Sequence, residues 1–139
     1  MKLTIITQPD TEANLNELEE FVQTHPRGNF FQSGKGFRFF HSVENYSPIL
    51  ITAREGEGIV GSLLAVNMQE GGGPKGVFSR RCIIFGGPLI QEEAPNAAEI
   101  LEALLDKLDE ATSSIYSEFR NHYDLSAYQS IFEQKGYEY

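Results

Sequence analysis

Short apolar runs bounded by glycine or proline share this chain with longer stretches whose apolar residues recur at helical spacing. Lys2 to Thr7 is a first strand-like run, closed by Gln8-Pro9-Asp10. From about Glu12 to Thr24, Leu15, Leu18 and Val22 fall at i, i+3 and i+7 with acids opposite, which predicts a helix capped by Asp10 or Thr11. His25-Pro26-Arg27-Gly28 ends it, and a second helix starts near Ser33 within the aromatic stretch Phe30 to Val43. Pro48 to Arg54 and Ile59 to Met68 are strands joined by a tight hairpin at Glu55-Gly56-Glu57-Gly58. Gln69 to Gly76 has loop chemistry; Val77 to Phe85 is the next strand, broken at Gly86-Gly87-Pro88 before the remnant Leu89-Ile90. Pro95 opens a long helix to about Thr112, with Ile100, Leu101, Leu104, Leu105 and Leu108 as its apolar stripe.

The last part of the chain carries charge in an apolar setting. Ile115 to Asn121 is expected as a buried strand, followed by a helix from about Leu125 to Lys135. Ser126 and Gln129 have capping-box spacing, and Gly136 stands where a C-terminal glycine belongs. Gly136-Tyr137-Glu138-Tyr139 then starts like another strand and stops, so the chain is expected to be one part of something larger. The order β-α-α-β-β-β-α-β-α-(β) predicts one α/β domain over residues 1–139, a mixed sheet flanked by helices, and a partial domain is the expectation.

Charge narrows the functions. With 11 basic and 20 acidic side chains the formal charge is −9, which disfavours broad binding of a phosphodiester backbone while leaving room for a local phosphate pocket. Cys82 is the single cysteine, so an internal disulfide and a cysteine-based zinc site are excluded, and a reducing cytoplasm is the expected setting. The run after Met1 is too short for a signal peptide or a membrane span.

No catalytic motif stands in the text of the sequence. His25, His41 and His122 lie far apart and form no metal pair, so no metal site is expected. Gly71-Gly72-Gly73-Pro74-Lys75-Gly76 lacks the GxxxxGK[ST] form and leads into a strand, which favours a hairpin tip over a phosphate loop. Cys82 lies in an apolar strand as packing material. Arg80 and Arg81 are adjacent in a strand and project to opposite faces, so they suit either solvent or an anion site beside the glycine break. Arg38 is either a surface residue covering apolar rings or a phosphate contact. Glu118 and Arg120 share a strand face at i, i+2, with Asn121 at the exit; an ion pair within the sheet is the first expectation and a shared cleft the second.

Several segments together carry a resemblance. His25-Pro26-Arg27-Gly28-Asn29-Phe30-Phe31-Gln32-Ser33, Ile59-Val60-Gly61, Ser79-Arg80-Arg81-Cys82-Ile83-Ile84-Phe85-Gly86-Gly87-Pro88, Glu118-Phe119-Arg120-Asn121 and Phe132-Glu133-Gln134-Lys135-Gly136-Tyr137 run in an order that resembles the N-terminal half of FemAB/FemX-type proteins. These are peptidoglycan interpeptide-bridge aminoacyltransferases, built from two domains similar to GCN5-related N-acetyltransferases (GNAT). The resemblance implies a GNAT-like domain that binds the muramyl-peptide acceptor, UDP- or lipid-linked. It also implies transfer of an amino acid from aminoacyl-tRNA, held mainly by a second domain, with no metal, no cofactor and no covalent enzyme intermediate. Positioning and charge stabilisation then carry the reaction. Carried over by position, the basic residue after Gln32 is a phosphate contact, matched by Arg38 or by Lys35; Gly36-Phe37 stands where the family often has tryptophan. Arg80 and Arg81 precede the glycine-proline break near the acceptor cleft, and Glu118, Arg120 and Asn121 match a recurring strand.

Two other functions stay open: a non-catalytic interaction module using an open sheet edge, with self-association as one form, and a stand-alone GNAT-type N-acyltransferase. Against the last, acetyl-CoA enzymes of this fold usually carry a Q/R-x-x-G-x-G/A turn whose amides surround the pyrophosphate. Here Gly86-Gly87-Pro88-Leu89-Ile90-Gln91-Glu92-Glu93-Ala94-Pro95 stands in that place, with prolines that donate nothing and paired acids that repel it. The fragment alone is expected to be inactive.

Overall fold

The computed structural model describes residues 1–9, 12–69, 80–112 and 116–138. Its elements are β1 (Lys2–Ile6), α1 (Glu12–Thr24), a 3-10 turn (Phe30–Gln32), α2 (Gly34–Ser42), β2 (Tyr46–Glu55), β3 (Gly58–Met68), β4 (Arg81–Phe85), β5 (Leu89–Ile90), α3 (Ala97–Ala111), β6 (Tyr116–Arg120), a second 3-10 turn (Ser126–Tyr128) and α4 (Gln129–Gln134). The sheet runs β1-β2-β3-β4-β6, antiparallel up to β4, with β6 parallel to β4 and β5 returning to pair with β3. The expected mixed sheet flanked by helices is therefore present.

Both faces of the sheet are covered, which explains why its strands appear in the sequence as near-continuous apolar runs. Ile49, Ile51 and Ala53 of β2, with Leu63, Ala65, Cys82 and Ile84, pack against Ile100, Leu101, Leu104, Leu105 and Leu108 of α3. The alternate residues Leu50, Leu64, Val66 and Ile83 face Leu15, Leu18 and Val22 of α1 and Phe37 and Phe40 of α2. Gly56 takes the first central position of the two-residue hairpin at φ +63, a place where glycine is preferred. Ser33 caps α2 as expected, its Oγ accepting from the Gly36 N–H at 3.0 Å.

Four local expectations change. Helix α3 begins at Ala97, so Pro95 lies before it, in turns closed by Ala94 N–H to Gln91 O and Ala97 N–H to Ala94 O. The Ser126–Gln129 capping box does not form; the Ser126 N–H donates instead to the Asp124 carboxylate at 2.8 Å. Residues 136–138 are not a strand. Gly136 at φ +92 ends α4, with Gly136 N–H bonded to Glu133 O and Tyr137 N–H to Phe132 O, a Schellman turn sealed by the Phe132 and Tyr137 rings. Finally, β6 is half-exposed and pairs on one side only among the described residues, because it forms the edge of the sheet. The Asp10 or Thr11 cap, the glycine-rich Gly71 to Gly76, residues 77–79 of the expected strand, Ile115 and Tyr139 lie outside the described residues.

Cys82 is fully buried, and burial pushes its thiol up to about 11, against opposing hydrogen bonds with Thr112 and Ser117. A folded chain at about pH 8 is expected to leave Cys82 unmodified by a thiol reagent that labels it fully in denaturant. Because the folded value lies above the ordinary 9.0, the thiol's contribution to stability is present below that pH and lost between about 9 and 11.

Candidate functional site

The site-forming irregularity is where β4 leaves its neighbours. Its last rung to β6 is Gly86 N–H to Arg120 O at 2.8 Å. Gly86 then adopts φ +75, and the chain passes through Gly87 and Pro88 before Leu89-Ile90 rejoins β3 opposite Ser62 and Gly61. Between these rungs, Leu64 on β3 has no strand partner on that side. Gln32 takes the place of one. Its side-chain amide donates to Leu64 O at 3.1 Å and Phe85 O at 2.7 Å, and accepts from Leu64 N–H at 2.8 Å. Asn29 makes the next stitch, Nδ2 donating to Gly86 O at 2.7 Å and Arg27 O at 3.2 Å.

A second set of contacts closes the far side of the break. Tyr123 Oη donates to Pro88 O, and the Arg27 guanidinium lies 4.3 Å from the Tyr123 ring centroid. Arg27 also pairs with Glu92 at 2.7 Å. Burial, reinforced by the Glu92 carboxylate, raises the Tyr123 phenol well above its ordinary value, so it remains a neutral donor. His25 Nδ1 accepts from Arg27 N–H at 3.0 Å, which leaves Nε2 to donate to Ile90 O at 2.7 Å. The segment His25 to Gln32 thus clamps the path of the chain from Phe85 to Glu92.

The turn after β5 has several of its backbone donors already engaged, which bears on whether it could hold the pyrophosphate of coenzyme A. The N–H groups of Gln91, Ala94 and Ala97 are committed to Val60 O, Gln91 O and Ala94 O. Pro95 has no N–H to give. Glu93 lies in the same turn and Glu99 in the first turn of α3, both repelling an anion, whereas the charge of Glu92 is paired with Arg27.

The residues singled out in the sequence form three separate groups. Lys35 and Arg38 are exposed on α2 and line a cavity of about 390 Å³ with Pro9, Leu15, Asn16 and Glu19. Glu19 already accepts from the Lys35 N–H at 2.7 Å. Arg80 Nε donates to Gln69 Oε1 at 3.2 Å, and Arg81 starts β4 opposite Met68 and Tyr116. Both sit at the opposite end of β4 from Gly86; from Arg81 the strand runs roughly 16 Å to that turn. Glu118 and Arg120 form the expected ion pair at 2.8 Å, with Arg120 also 5.4 Å from the Phe85 ring centroid. Asn121 follows, its Oδ1 buried without a hydrogen-bond partner among the described residues.

Sequence reasoning gave no individual role to His25, Asn29, Gln32 or Tyr123. Gln32 had one readable signal, an amide flanked by Phe31 in an apolar stretch. No group of His, Cys, Asp and Glu among the described residues is placed to hold a metal ion. No helix among them is long and apolar enough to cross a membrane.

No protein-family profile matches the sequence, and no curated protein does. Solved structures do. A transcriptional regulator from Bacillus halodurans is 17% identical with a TM-score of 0.60, covering 99% of this chain and 93% of its own. A ribosomal-protein-alanine N-acetyltransferase from Brucella melitensis is 12% identical with a TM-score of 0.59, covering 100% and 93%. FemX is 22% identical with a TM-score of 0.58 over 80% of this chain, which spans 24% of the length of FemX. The fold these comparisons define is the GNAT fold.

Proposed function

We propose that the chain is the acceptor-binding N-terminal domain of a FemAB-like aminoacyltransferase, acting on the muramyl peptide of a peptidoglycan precursor. The observation that carries this reading is the stretch from Gln91 to Ala97: the N–H groups of Gln91, Ala94 and Ala97 are already bonded, Pro95 has none, and Glu93 is exposed, a poor setting for a pyrophosphate-bearing thioester. An acyl donor of another kind is then required, and aminoacyl-tRNA supplies an activated ester. The likeness to FemX supports the same direction.

In this reading the acceptor amine attacks the ester carbonyl, an amide bond forms, and the tRNA hydroxyl leaves with a proton. The domain contributes placement. Lys35 and Arg38 grip the acceptor phosphate, Arg80 and Arg81 hold an acidic part of the acceptor, and Glu118, Arg120 and Asn121 shape the strand end beside Gly86. The second domain supplies most of the tRNA surface, and the reaction takes place in the cytoplasm. The test is calorimetric titration with UDP-MurNAc-pentapeptide. Arg38→Ala combined with Arg80→Ala is expected to weaken binding by about 100-fold, from two lost charge-assisted contacts. Unchanged affinity in the double variant overturns the site assignment.

A further inference from the structure

The sheet splits at Gly86, and a side chain fills the split. Phe85 is the last residue of β4 in register with β6, opposite Arg120. Beyond Gly86 the chain bears toward β3, where Leu89 and Ile90 pair with Ser62 and Gly61, while β6 ends at Arg120. Gln91 N–H donates to Val60 O, so by two-residue alternation the backbone of Leu89 also faces β3 and that of Ile90 faces the split. No described strand pairs with β5 on that side. Two carbonyls there are nonetheless taken, Pro88 O by Tyr123 Oη and Ile90 O by His25 Nε2 at 2.7 Å. The Tyr123 ring packs against both hydrophobic cores, one on each face of the sheet, which places it in the gap between them. Arg27 covers that ring at 4.3 Å and is itself held by Glu92.

We propose that Tyr123 is a specificity-determining residue, a stopper that keeps an extended, amide-bearing ligand such as the arm of a thioester coenzyme out of the split in the sheet. An open strand position binds an extended chain by giving its amides the missing backbone bonds. Here the ring takes the space and the side chains take the bonds. With Pro88 O given to Tyr123 and Ile90 O given to His25, an entering N–H finds both carbonyls engaged, and Pro88 has no N–H to offer in return. The phenol is braced by Arg27, whose charge Glu92 fixes from the far side, so it does not swing free as an unsupported surface ring would. The stopper acts on the arm, whereas the Gln91 to Ala97 turn bears on the pyrophosphate; the two barriers are separate. It deepens the acceptor reading, because a fold closed to such an arm needs an acyl donor of another shape.

The experiment titrates S-acetylpantetheine, an arm without phosphate, into the unsubstituted chain, Tyr123→Ala and Tyr123→Leu, with amide hydrogen exchange read at Ile90. The probe carries no anion and no muramyl peptide, so its failure leaves the acceptor reading standing, and failure of that reading leaves this test intact. Tyr123→Ala is expected to bind the arm at least about tenfold more tightly than the unsubstituted chain. The bound arm is expected to slow exchange at Ile90 by about tenfold in the variant and to leave it unchanged in the unsubstituted chain. p-Cresol, the tyrosine side chain as a free molecule, is expected to refill the gap, raising the melting temperature of Tyr123→Ala and displacing the arm. Tyr123→Leu keeps apolar bulk in the gap and frees Pro88 O, so its affinity is expected to lie between the other two, and it decides the matter if the alanine variant does not fold. Equal affinity of the unsubstituted chain and the folded variants, including no binding by any of them, overturns the proposal. Binding of the arm that p-cresol does not displace also overturns it, since the arm then lies outside the gap.

Discussion

Gln32→Leu is expected to destabilise the chain by about 3–5 kcal/mol. The substitution keeps the volume and removes every polar contact that this fully buried side chain makes. Leu64 N–H, Leu64 O and Phe85 O all lose the amide that serves as their missing rung. Each buried group left unsatisfied costs about 1–3 kcal/mol, and no neighbouring strand can slide over to replace the lost bonds. Against a typical domain stability of about 5–15 kcal/mol, this is a large share. Urea unfolding would show it as a lower midpoint with an unchanged slope. A loss below about 1 kcal/mol would mean that β3 and β4 close without Gln32.

Gly86→Ala is expected to cost about 2–3 kcal/mol, whereas Gly56→Ala, also at positive φ, costs about 1 kcal/mol. The two glycines share a conformation, at φ +75 and +63, and differ in their surroundings. A methyl on Gly56 meets nothing within 4 Å; on Gly86 it would lie 2.5 Å from Asn29 Oδ1. Asn29 would have to move, breaking its bond to Gly86 O. If that clash is the cause, Asn29→Ala should relieve part of the Gly86→Ala penalty, giving a coupling of about 1 kcal/mol in a double-mutant cycle. Additive losses in thermal or urea unfolding would contradict the clamp.

Legibility in the sequence followed the range of the interactions involved. Helix α1 lies where the spacing of Leu15, Leu18 and Val22 placed it, and β2, β3 and α3 agree within about two residues, because one face or two buried faces impose a local period. The Glu118–Arg120 pair was readable for the same reason, since i and i+2 share a strand face. Competing local bonds displaced other features. Asp124 claims the amide that the capping box needed, and the glycine turn at Gly136 ends α4 without opening a strand. Gln32, Asn29 and Tyr123 act only across distant contacts, to Leu64, Gly86 and Pro88, and no periodicity encodes those. The separation of Arg80 and Arg81 from the Gly86 turn likewise depends on how far β4 runs before it breaks.

The most direct test of the central claim is a pair of calorimetric titrations of the same folded chain, with UDP-MurNAc-pentapeptide and with acetyl-CoA. Saturable heat is expected with the muramyl peptide and none with the thioester. Saturable heat with acetyl-CoA alone would contradict the acceptor reading, since the Gln91 to Ala97 turn would then accept a pyrophosphate although the N–H groups of Gln91, Ala94 and Ala97 are bonded elsewhere and Pro95 has none.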